Sequence, residues 1–102
     1  MIATRSEILA QLRTLRANIA AARAALVNYK DDRLDRDKLE PAARRVDDLM
    51  DMYSGSSRNV PRGLGWIAEI QSGIEAVTND KAAVALNEAL AGVTALRAAM
   101  GS

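Results

Sequence analysis

An all-α fold, a small four-helix bundle in a single domain spanning residues 1–102, is what this sequence predicts, and three observations carry the prediction. Apolar residues recur at three- and four-residue steps along nearly the whole chain, the spacing of one helix face. No stretch alternates with the period of two that a half-buried strand requires. One stretch near the middle, Ser54–Trp66, gathers three of the six glycines and one of the two prolines and reads as a break between helices.

The first helix has the clearest pattern. Ile8, Leu12, Leu15, Ile19, Ala22, Leu26 and Tyr29 follow at steps of 4, 3, 4, 3, 4 and 3. This is a heptad, coiled-coil-like seam, which keeps one line of a helix against a partner helix. The partner is a neighbouring helix of the same chain or a second copy, and the spacing alone leaves both open. Thr4 and Glu7 fit a capping box, and the helix is expected from about 5 to 30. Arg16, Arg23 and Lys30 form a basic line beside the seam. Residues 31–36, D-D-R-L-D-R, carry charge without a wide apolar face and are expected to turn.

The second helix is expected over about 38–53, capped by Asp37 with Glu40, and with Pro41 in its first turn, where free N–H groups have no intrahelical partner. Its apolar face is Leu39, Ala42, Ala43, Val46, Leu49, Met50 and Tyr53, with Asp47, Asp48 and Asp51 outside it. The third, about 60–78, starts from Asn59 as N-cap with Pro61 just inside, and uses Leu64, Ile67, Ile70, Ile74 and Val77. Thr78-Asn79-Asp80 ends it and caps a fourth helix, about 80–100, striped by Val84, Leu86, Ala89, Leu90, Val93, Leu96 and Met100.

The core this permits is thin in large side chains: twenty alanines, no phenylalanine, two tyrosines and one tryptophan. Buried apolar area stabilises by roughly 25 cal/mol per Å², so an alanine-rich core gains from further burial against another copy or a partner. Homo-oligomerisation is therefore one way to complete the bundle, through the seam residues Ile8, Leu12, Leu15, Ile19 and Leu26.

Composition argues against several functions. Without histidine or cysteine there is no Ser-His-Asp triad, thiolate nucleophile or zinc site of the usual kind. Asp47 and Asp51, one turn apart, suit salt bridges to the basic first helix better than a metal site, and the acidic run 31–37 lacks the glycine and glutamate of a calcium loop. The expectation is no enzyme, no cofactor and no metal. A net charge of +1 offers no field for nucleic acid or an anionic membrane. The lack of cysteine, of an uninterrupted apolar run near the roughly 20 residues of a membrane span, and of an apolar core in M-I-A-T-R-S-E leads to the expectation of a cytoplasmic protein.

Ser54–Trp66 holds the remaining candidates. Gly63–Ala68 matches a dinucleotide fingerprint by letter, but no strand precedes it, and no G-K-[ST] makes a phosphate loop. The stretch still places Arg58 and Arg62 beside a helix N-terminus, with Asn59, Trp66 and Tyr53 nearby. Two uses follow: a surface for a partner protein, or a site for an anionic small ligand such as a nucleotide. A plain connection, with Trp66 closing the bundle end, explains the same residues. The leading expectation is a protein that works by protein–protein association. By analogy of size and fold class it would be an inhibitor, immunity or adaptor protein of bacteria or phage.

Overall fold

Asp35, buried to 6% exposure, occupies a core position on the segment expected to turn. The computed structural model describes residues 3–55 and 59–101, and in it Asp35 belongs to a helical arm that starts at Asp32. The elements are α1 (Arg5–Asn28), a short α2 (Asp32–Leu34), a π segment (Asp35–Leu39), α3 (Glu40–Ser54), α4 (Val60–Glu75), a 3-10 turn (Asp80–Ala82) and α5 (Ala83–Gly101). No strand occurs among the described residues. The four long helices α1, α3, α4 and α5 form an all-α bundle. Each packs against two neighbours, in the cyclic order α1, α3, α4, α5, and the backbones of diagonal helices stay apart. Cross-helix contacts fix antiparallel neighbours: Arg16 meets Asp47 and Arg23 meets Asp35, while Arg45 meets Glu69 and Arg97 meets Gln71.

Every arm carries the same seam. Buried positions are 8, 12, 15, 19, 22 and 26 on α1, then 39, 42, 46, 49 and 53 along the second arm. On the remaining arms they are 67, 70, 74 and 77, and 82, 86, 89, 93 and 96. Steps of four and three throughout are the geometry of helices crossing at about 20°. The seam residues Ile8, Leu12, Leu15, Ile19 and Leu26 are at most 3% exposed within one chain, so the bundle itself consumes them. Tyr29, placed in the same stripe by its spacing, is instead 59% exposed, because α1 stops at Asn28. There the chain closes a Schellman turn: Asp31 N–H donates to Leu26 O, Lys30 N–H donates to Val27 O, and Lys30 takes a φ of 63°.

Three further expectations need correction. The expected turn at 31–36 is helical from Asp32 onward, and the caps assigned to Asp37 and Glu40 are not caps. Pro41 explains the local geometry. It has no N–H to give, and its ring would crowd the carbonyl four residues back in a regular helix. A π turn, in which Glu40 N–H donates to Asp35 O, widens the backbone at that point and lets the helix run on. α4 ends at Glu75 rather than 78, although Val77 stays buried in the connection. On α5, Val84 is 75% exposed and Ala82 takes the first buried place in the stripe.

The remaining caps agree with the reading. Thr4 Oγ1 accepts the Glu7 N–H, Asn59 Oδ1 accepts the Arg62 N–H, and Asn79 Oδ1 accepts the Lys81 N–H. Asn79 also donates to Asp31 Oδ2 at 3.1 Å, tying the connections at one end of the bundle together.

The basic line on α1 meets the acidic arm beside it. Arg16 reaches Asp47 at 3.6 Å on the surface, whereas Arg23 grips Asp35 with two bonds of 2.8 and 3.2 Å. The hydrogen bond and charge of Asp35 raise the Arg23 pKa above the ordinary arginine value, against the smaller lowering by burial.

Candidate partner-binding groove

Where α3 and α4 run side by side their backbones come close at Gly73. A Cβ added at Gly73 would lie 2.7 Å from the Lys38 carbonyl oxygen, so only glycine allows α4 to rest against the π segment. At the other end Gly63 lies under Met100 and Leu49. The outer side of the same pair stays open as two concavities that share Asp48.

The larger, about 770 Å³, lies near the π segment and includes Lys38, Pro41, Arg44, Asp47, Glu69 and Gly73 in its lining. The smaller, about 680 Å³, is lined by Asp48, Asp51, Met52, Gly55, Asn59, Arg62 and Trp66. Arg45 marks the division between them. Its guanidinium bonds Asp48 at 3.0 Å and Glu69 at 3.1 Å, and lies 5.5 Å from the Trp66 ring centroid. A side chain held on three sides gives the groove a fixed waist. Asp51 and Arg62 contrast with it: neither makes an ion pair among the described residues.

Of the residues singled out in the sequence, Asn59, Arg62 and Trp66 come together on this one concavity. Tyr53 does not join them. It is 2% exposed and belongs to the core seam, as its step of four from Leu49 already indicated. Arg58 lies outside the described residues. The sequence reading missed Arg45, Asp48, Asp51 and Met52 as members of the site. The available signal was that Asp48 and Asp51 fall off the apolar face of α3, three residues apart and so on one flank.

The smaller depression offers an indole face, a thioether, and a carboxylate and a guanidinium that make no ion pair among the described residues. Among the described residues no three acidic side chains gather as a metal ion would need. Comparison with protein-family models, with curated proteins and with solved structures found no match to this chain.

Proposed function

We propose that this chain is a non-enzymatic helical protein that acts by associating with another protein, in an inhibitor, immunity or adaptor role. The partner docks on the α3–α4 groove. One observation carries the reading: Trp66 lines, half-buried, a depression whose flanking charges Asp51 and Arg62 have no partner among the described residues. Tryptophan and arginine are the side chains that most often dominate binding energy at protein interfaces. Unpaired charges of both signs beside them give a partner direction and register.

The alternative, an anionic small ligand, draws less support. Two carboxylates, Asp48 and Asp51, line the same depression, and a phosphate there would meet their charge. The Arg62 amide at the start of α4 already serves Asn59. Capture from a native lysate with the purified chain as bait separates the two readings. A stoichiometric polypeptide supports association. A small anion released when the purified protein is denatured, with no polypeptide retained, supports the alternative.

A further inference from the structure

The most apolar stretch of the bundle is poorly covered. Asp80–Gly101 reaches a mean hydropathy of 1.2, long and apolar enough by composition to cross a membrane, yet 22% of that window is buried. The absence of an uninterrupted apolar run did not reveal this. None of the ion pairs among the described residues includes a residue of α5.

Where α1 and α5 run side by side, opposite the α3–α4 groove, a shallow depression of about 310 Å³ is lined by Ala10, Gln11, Thr14, Gly92 and Ala95. Helical steps of three and four from these positions reach Glu7, Arg13, Ala17, Glu88, Ala91 and Ala98, and a further step reaches Ala21, all exposed. A second observation falls in the same depression. Gln11 Oε1 is shielded from solvent and has no hydrogen-bond partner among the described residues, as a polar atom awaiting a donor would be.

We infer that this face binds a second copy of the chain, forming a dimer of bundles set face to face. The size fits. Principal extents of 40 × 20 × 18 Å give the broad side about 800 Å², close to the share that each partner contributes to a standard interface. The charge fits as well. A two-fold interface sets a surface against itself, so a strongly charged face would repel its own copy. This face carries Glu7, Arg13 and Glu88, charges of both signs, and none of the ion pairs among the described residues, whereas the α3–α4 side would have to desolvate Arg45 with Asp48 and Glu69. Alanine and glycine let helices approach closely and lose no side-chain freedom on contact. The dimer would leave two α3–α4 grooves pointing outward, so a multivalent partner gains avidity from it.

Sedimentation equilibrium on the full chain, from about 1 µM to about 500 µM, tests this. The wild type should move from 11.0 kDa toward twice that mass. Ala95→Glu and Ala21→Glu, both at exposed positions, should keep their helical circular dichroism and weaken dimerisation at least about thirtyfold. Asp51→Ala, on the opposite side, should dimerise like the wild type. A wild type that stays monomeric throughout overturns the inference, as do glutamate variants that dimerise normally. A monomeric wild type that floats with phosphatidylcholine vesicles, while Ala95→Glu does not, would assign the face to a lipid surface instead.

Discussion

Replacing each of two glycines on α4 by alanine separates close helix approach from helix propensity. Both Gly65 and Gly73 lie inside Val60–Glu75, so alanine gains the same backbone term at each, about 0.5–1 kcal/mol. At Gly65 nothing lies within 4 Å of the added Cβ, and the gain should appear in full as stabilisation. At Gly73 the new methyl would sit 2.7 Å from the Lys38 carbonyl oxygen and 3.3 Å from the Ala42 Cβ. The first of these is backbone and cannot swing aside, so α4 must move off the π segment. Overpacking of that kind costs about 1–3 kcal/mol, which outweighs the propensity gain. Gly73→Ala should therefore be less stable than Gly65→Ala by about 1–3 kcal/mol, a gap of about 4 °C or more in Tm for a domain of this size. Urea unfolding followed at 222 nm, at one protein concentration so that self-association cancels, measures the difference. Equal stabilisation by both substitutions would refute the packing of α4 on the π segment.

Other expectations follow from single contacts. Arg23→Met leaves the Asp35 carboxylate buried without its partner and should cost about 2 kcal/mol. The loss falls below the about 3–5 kcal/mol of a fully buried pair because the Arg23 side chain is 35% exposed. Since pairing raises the Arg23 pKa, its contribution is complete below the ordinary arginine value and is lost only as pH climbs past the raised one. The cost of Arg23→Met should thus stay constant from about pH 6 to about pH 10, and a decline over that range would contradict the assignment. Lys30→Gly relieves a side chain held at a φ of 63° and should raise stability by about 0.5–1 kcal/mol despite the looser unfolded chain, as thermal unfolding would register. No gain would mean that the turn after α1 is not strained.

How much could be read in advance depended on the size and polarity of the side chain at each seam position. α1 was legible because leucine and isoleucine fill the heptad, but its end was not. Lys30 does at the Schellman turn what glycine usually announces. The second arm was misread at its start for a different reason. Asp35 extends the seam one step before Leu39, and a carboxylate at a core position becomes intelligible only through Arg23, twelve residues earlier in the chain. In the last arm the buried Ala82, in the 3-10 turn, and Ala89, on α5, carry weak signals, and the exposed Val84 a misleadingly strong one. The groove was legible in part. Asn59, Arg62 and Trp66 share α4 and its cap, so helical spacing brings them together, whereas Arg45, Asp48 and Asp51 arrive from α3 by tertiary packing.

Association through the α3–α4 groove is most directly tested by comparing captured proteins between baits. Wild type and a Trp66→Ala, Arg62→Glu double variant of unchanged helicity are exposed to the same native lysate and their bound proteins quantified. The groove account predicts one polypeptide, near equal stoichiometry on the wild type and at least about tenfold depleted on the variant. The same polypeptide retained equally by both baits, or none on either, would contradict it.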